Sequence, residues 1–369
     1  MDFLIASAPT GLWAWLINSI ENAGISYGFT IILVTLIIKF VLLPADLFNK
    51  YSTKKNATVQ AKIKPELDTL KKRYANNPQI LNQKTMQLYK RENYSMGGTC
   101  AGMLVYMVLT MVIFFTLLNT LNGMSAYKLQ NEYDVLYNTY TTYVTENNID
   151  VENEEELKLA QVAVSEKYNE IKEDFLWIKN IWRPDTSASV TLNYKDFSSV
   201  AKISEKQKHG TEYSKLTEEE LAEIQLMTDE EKAEYNKYTE KTYNIVMNEL
   251  LTNKTYTKWN GYFILSVLAA LLSFGSMQLN TIIAKIKNKK KNLPNIVSTN
   301  KTMSIIMPII MGVFTLLYTA SFGLYIVAGA LFSFVTTPLI TLIVDKIYAK
   351  KSEKLEVKNK VSYDRTLKK

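Results

Sequence analysis

Residues 27–48 read YGFTIILVTLIIKFVLLPADLF, an apolar run with a lysine, Lys39, inside it. A helix needs about 20 apolar residues to cross a bilayer, and this run has the length. A lysine near the middle of such a helix costs roughly 2.5–3.5 kcal/mol on insertion scales. A charge kept at that cost faces protein or water rather than lipid. Snorkelling is the competing explanation. Asp46 lies seven residues further on, about 10 Å along a helix, so a lysine stem reaches partway to the interface.

Working outward, the 47% apolar content of the 369 residues divides into two kinds of sequence. Five segments are nearly free of charge, and the stretches between them are dense in Lys, Glu and Asn. A water-soluble domain spreads its apolar residues at helical or strand period instead. Helices and closed barrels alone satisfy their backbone in lipid, so the pattern predicts an all-α membrane protein of five transmembrane helices. The expected spans are 25–46, 99–121, 259–283, 303–320 and 321–344.

An interfacial helix is expected within 1–24, where Leu12, Trp13, Leu16, Ile17 and Ile20 follow helical spacing with Trp15 beside them. That segment lacks a basic n-region and a long apolar core, so it is not expected to be a cleaved signal peptide. Residues 47–98 read as a helical hairpin, with Pro78 in the first turn of its second helix and Asn77 as the cap. Residues 122–258 read as a helical insert, with capping-box patterns Thr217…Glu220 and Thr228…Glu231. A basic loop, 284–302, and a basic tail, 345–369, complete the chain.

The charges orient these pieces. The hairpin holds 11 Lys/Arg against 3 Asp/Glu, the tail 9 against 4, and the insert 16 against 26 over 123–258. Basic loops stay in the cytoplasm. The N-terminus and the insert are therefore expected outside, and the C-terminus in the cytoplasm.

The residues also carry a resemblance. Lys39 is followed by LLP at 42–44, KPEL at 64–67, RY at 73–74, NPQ at 77–79 and LYK at 88–90. Further on come IFF at 113–115, FLWI at 175–178, PD at 184–185, MP at 307–308, GLY at 323–325 and LF at 331–332. In this order the set resembles the YidC family of membrane protein insertases, a bacterial cytoplasmic-membrane family, across roughly half the chain and all five spans.

The resemblance implies five core helices around a hydrophilic groove, open to cytoplasm and lipid. It implies insertion of newly made membrane proteins without nucleotide hydrolysis, and a non-catalytic protein. It puts Lys39 where the family carries an arginine. Lysine keeps the charge but loses the planar fork that binds two acceptors at once. Other departures are Thr110 and Val112 in a second span without the family's Gln and prolines, Ile326 at the family's Trp position, and the insertion over 187–258.

The expected groove residues are Lys39, Thr35 one turn before it, Thr110, Asn119, Gln278 and Tyr318; polar residues in spans also serve simply as helix-packing contacts. Lys64, Lys71, Lys72, Arg73, Lys90 and Arg91 are the expected hairpin contacts, to anionic lipids, ribosome or nascent chain. The Sec translocon is a further candidate partner, and no specific DNA partner is expected.

No cofactor is implied. One cysteine, Cys100, forbids an intrachain disulfide, and with one histidine, His209, it excludes a His/Cys metal cluster though not a carboxylate site. No P-loop, HExxH or GxSxG occurs in the sequence. Two other functions compete: a small-anion transporter with Lys39 as its site, and a membrane-anchored surface binding protein using 122–258. Transporters usually show internal repeats and broken helices, which this chain lacks.

Overall fold

The computed structural model describes residues 8–92, 94, 96–290 and 301–366. Much of the expected basic loop, 291–300, lies outside the described residues, as do residues 1–7 and 367–369. Among the described residues the regular structure is helical, joined by turns and irregular segments that include two isolated bridges, Phe175 with Ile178 and Ser189 with Trp259. In chain order the helices are α1 (Leu12–Glu21), α2 (Tyr27–Arg73), α3 (Pro78–Arg91), α4 (Met96–Glu146) and α5 (Glu154–Ile171). Six short helices follow: α6 (Tyr194–Val200), α7 (Glu205–His209), α8 (Glu218–Leu226), α9 (Asp229–Tyr235), α10 (Glu240–Val246) and α11 (Asn248–Thr252). The last three are α12 (Ile264–Lys290), α13 (Lys301–Leu317) and α14 (Ala320–Thr366).

Four helices, α2, α4, α12 and α14, contain stretches long and apolar enough to cross a membrane; α13 adds a shorter apolar stretch, Ser304–Leu317. Their sides explain why. On α2 the buried residues Tyr27, Ile31, Val34, Ile38 and Leu42 form one stripe, while Phe29, Leu33, Ile37, Phe40 and Val41 are exposed and equally apolar. On α4, Leu104, Val105, Val108, Met111, Val112 and Phe115 are all exposed. A helix with apolar residues outside its packing stripe needs lipid around it. This is an all-α, multi-pass membrane protein.

Polarity changes do not end the long helices. α2 runs from its apolar run into the basic stretch without a break, through Pro44 and Pro65. α4 continues 25 residues past Leu121 into the polar insert, to Glu146. Backbone hydrogen bonding, not side-chain polarity, sets where a helix stops.

The chain folds as two compact units. The first takes the chain up to Val34, Thr116–Leu268 and Gly312–Ile326. Its core is aromatic. The Tyr133 ring lies 5.1 Å from Phe197, 5.2 Å from Tyr243 and 5.7 Å from Tyr238, and Phe197 stacks on Tyr243 at 4.5 Å. Two buried hydroxyls find carbonyls: Tyr133 donates to Lys237 and Tyr243 to Leu192, each at 2.8 Å. Both expected capping boxes form, at Thr217 with Glu220 and at Thr228 with Glu231.

Asn260, fully buried, ties this unit's irregular segment together. Its amide donates to the carbonyls of Asn180 at 3.0 Å and Pro184 at 2.9 Å, and its oxygen accepts from Asn180 N at 2.7 Å. Asp185 caps α12 from afar, accepting from Tyr262 N at 2.8 Å and Leu265 N at 2.7 Å. That approach needs Gly261, because any Cβ there would overlap the Asp185 carboxylate.

The second unit takes Thr35–Phe115, Ala269–Met311 and Val327 onward. Phe40 of α2 meets Phe332 of α14 edge-on at 5.1 Å, and Lys54 pairs with Asp345 at 3.0 Å. In the hairpin Ile63 and Leu88 are buried, Lys62 pairs with Glu92 at 2.6 Å, and Arg91 pairs with Glu66. Asn77 caps α3, its side chain accepting from Ile80 N at 3.2 Å, with Pro78 in the first turn.

One half-buried acid gives the insert a pH signature. In the polar part of α4, burial pushes the Glu132 carboxyl from 4.5 up to about 8; Glu173 adds to the shift and the Trp182 indole N–H opposes it. The folded state therefore holds a proton that the unfolded chain gives up, and stability falls as pH rises from about 4.5 to about 8. Glu132→Gln keeps an acceptor for the indole N–H and should flatten that fall. Thermal unfolding followed between pH 5 and pH 8, taken as roughly the ends of the linkage window, checks it; equal slopes in both proteins contradict it.

Candidate functional site: Lys39 against Gly329

Lys39 stands on α2 in the second unit, one turn beyond Thr35, and both side chains run against Gly329 of α14. A Cβ built on Gly329 would lie 3.2 Å from Lys39 Cε, 3.8 Å from Lys39 Nζ and 3.7 Å from Thr35 Cγ2. The missing side chain at Gly329 is thus the seat of the lysine stem. Thr35 is fully buried, whereas Lys39 keeps part of its surface open. Among the described residues no carboxylate pairs with Lys39; the ion pairs nearest in sequence are Lys50 with Asp46 at 3.7 Å and Lys54 with Asp345.

Along α14 the stripe continues as Ser333, Thr337 and Thr341, four residues apart. The Ser333 hydroxyl donates to Gly329 O at 2.9 Å, and the Thr341 hydroxyl donates to Thr337 O at 2.8 Å. Hydroxyls bound back to their own helix keep a face small and mildly polar without leaving a buried donor unpaired. The result is a cation on a small-residue face that makes no ion pair among the described residues, with the Asp46 carboxylate acting on it only from a distance. Such an arrangement attracts an anionic group brought to it; at 4 Å and an effective dielectric near 20 the attraction is about 4 kcal/mol before water weakens it.

The other expected residues fall differently. Thr110, also in the second unit, returns its hydroxyl to its own helix, at Tyr106 O 3.0 Å and Met107 O 2.9 Å. Gln278 on α12 is half-buried. Among the described residues no hydrogen bond links either of them to Lys39. Asn119 and Tyr318 belong to the first unit. Asn119 is exposed, and the Tyr318 ring sits between Phe314 at 5.9 Å and Phe322 at 5.0 Å. Thr315 is a packing contact, fully buried and sharing a 2.7 Å hydrogen bond with Ser266.

Of the hairpin cations, Lys64, Lys71, Lys72, Arg73 and Lys90 are exposed and make no ion pair among the described residues. Arg91 is committed to Glu66 and Glu92; hydrogen bonds from Lys62 and Arg91 hold the Glu92 carboxyl below its usual range.

Gly329 was missed from sequence, because its partner lies 290 residues earlier. The signal open to a reader was the four-residue spacing of Gly329, Ser333, Thr337 and Thr341.

Fold and site together define a multi-pass helical membrane protein with a lysine, Lys39, inside the apolar stretch of α2. A family model described as "60Kd inner membrane protein" matches residues 18–347. The chain belongs to that family. It is similar to the membrane protein insertase YidC of Fusobacterium nucleatum, 37% identical over 101 residues, which are 27% of this chain and 47% of that protein. The insertase YidC of Clostridium tetani is 37% identical over 106 residues, 29% of this chain and 46% of that protein. That of Clostridium perfringens is 34% identical over 108 residues, 29% of this chain and 44% of that protein. The alignment thus spans less than half the length of these relatives.

The seat predicts a graded response. Gly329→Ala is near neutral, since the far end of a lysine can move. Gly329→Val overfills the contact and should cost about 1–3 kcal/mol. A lowered thermal midpoint of the purified Val variant checks this; an unchanged midpoint contradicts the contact.

Proposed function

We propose that this chain is a membrane protein insertase of the bacterial plasma membrane. The reading rests on the family match over residues 18–347 and on the insertases to which parts of the chain are similar. Lys39 gives it a mechanism. Five spans enclose a hydrophilic groove, with the apolar stretch of α13 as the fourth. Water in the groove shortens the apolar path that a polar tail must cross. The Lys39 ammonium draws acidic residues of that tail into the membrane, and the apolar segment behind them then partitions into lipid. The driving force is the transfer of apolar surface out of water, so no nucleotide and no catalytic residue enters the step.

The same proposal sets the topology. The N-terminus and the insert lie outside, and the hairpin, the loop after α12 and the tail lie in the cytoplasm, following their basic charge. The substrates are newly made membrane proteins. The exposed cations Lys64, Lys71, Lys72, Arg73 and Lys90 meet anionic lipid headgroups or the nascent chain as it arrives. The Sec translocon and the ribosome are partners within this proposal.

Insertion into proteoliposomes, read by protease protection, tests the charge. Lys39→Arg should keep insertion of a substrate with an acidic tail. Lys39→Glu should lower it about tenfold or more, because even 1.4 kcal/mol of the attraction is a factor of ten. Normal insertion of the acidic tail by the Glu variant contradicts the mechanism.

A further inference from the structure

The insert carries an apolar patch at its base. Leu176 is 72% exposed, Trp259 55% and Tyr262 54%, with Phe263 exposed beside them. These residues come from two segments held side by side. Lys179 N donates to Asn260 O at 3.2 Å, Lys179 Nζ to Trp259 O at 3.0 Å, and Asn180 N to the Asn260 side chain. Leu176 sits in a tight hairpin closed by Phe175 N to Ile178 O at 2.9 Å and Ile178 N to Phe175 O at 3.0 Å.

Two of the four side chains are held out on strained backbone. Leu176 has φ +56° and Phe263 φ +63°, a region that bulky residues rarely enter. A glycine at either position would relieve the strain and remove the apolar side chain. Strain of this kind persists where the surrounding structure enforces it, and it marks positions with a task. Here the enforcement is visible in the bonds from Asp185 to Tyr262 N and Leu265 N, and in the Asn260 network.

The height of the patch identifies what covers it. Phe175, at the foot of the hairpin, packs edge-on against Phe29 at 5.0 Å, in the first turn of α2, and fills the space left by Gly28. Trp259–Phe263 run directly into Ile264, the first residue of α12. Both α2 and α12 contain membrane-crossing stretches. The patch therefore lies at the level where two spans leave the apolar layer, the level at which Trp and Tyr rings are enriched. Lys179 and exposed Lys258 flank it with positive charge, suited to lipid phosphates.

We propose that the base of the insert is seated in the lipid leaflet on its side of the membrane, through Leu176, Trp259, Tyr262 and Phe263. The insert is then a monotopic attachment to the bilayer as well as a link between spans, and its apolar patch belongs in the headgroup and upper acyl region. This holds whatever the protein transports or inserts.

The test uses the full chain in vesicles of phosphatidylcholine and phosphatidylglycerol. In a Cys100→Ser background, Leu176→Cys, Tyr262→Cys and, as a control on exposed α8, Leu226→Cys each carry an environment-sensitive fluorophore. Quenching by nitroxide-labelled lipid should be about threefold or more stronger at positions 176 and 262 than at 226, and quenching by aqueous iodide should show the reverse order. Two positions guard against one variant failing to fold. Iodide quenching at 176 and 262 equal to that at 226 overturns the proposal. Shielding from both quenchers overturns it too, because a protein surface, a second copy or a partner, then covers the patch.

Discussion

An ammonium inside an apolar helix has to be kept away from hydrocarbon, and much of this structure bears on that requirement. Lys39 costs a few kcal/mol in lipid. Its stem is laid across Gly329, where the neighbouring helix has no side chain, and Thr35 is buried on the same face. The flank turned away, with Ile37 and Val41, is apolar and exposed, fit for lipid. The lysine stem is thereby packed against backbone while part of the side chain stays open. A salt bridge would make the site inert, because a paired charge has little attraction left for a substrate. An unpaired one is useful only where water or a substrate reaches it.

The first unit meets a different constraint. Its polar insert must join membrane-crossing helices without stranding backbone groups. The structure does this with side chains reaching far along the sequence: Asn260 serves the carbonyls of Asn180 and Pro184, and Asp185 caps α12. These bonds occupy the segment between the insert and the first turn of α12, where they satisfy backbone groups that a loose linker would leave open.

The features legible in the sequence were those carried by neighbours in the chain. The apolar runs, the Asn77 cap and the capping boxes at Thr217 and Thr228 depend on residues within a few positions, and all appear in the structure. Lys39 was legible because a lone charge in an apolar run is an anomaly on its own helix. Gly329 was not, since nothing local distinguishes a glycine that receives a lysine from one that packs two helices. The extension of α4 to Glu146 was hidden as well: composition changes at Leu121 and Asn122–Gly123 reads locally as a stop, yet the helix runs straight through it. Thr315 shows the same limit from the other side, a polar residue in a span whose partner, Ser266, only the fold reveals.

The central claim is that the charge at position 39 acts on charge in the substrate. The direct measurement is a reciprocal exchange, in which the Lys39→Glu protein is given a substrate whose tail acids have been replaced by lysines. Recovery of insertion for that pair, alongside failure of the same variant with the acidic tail, is the result expected. Failure with both tails would mean that residue 39 matters for the integrity of the helix packing and not for its charge.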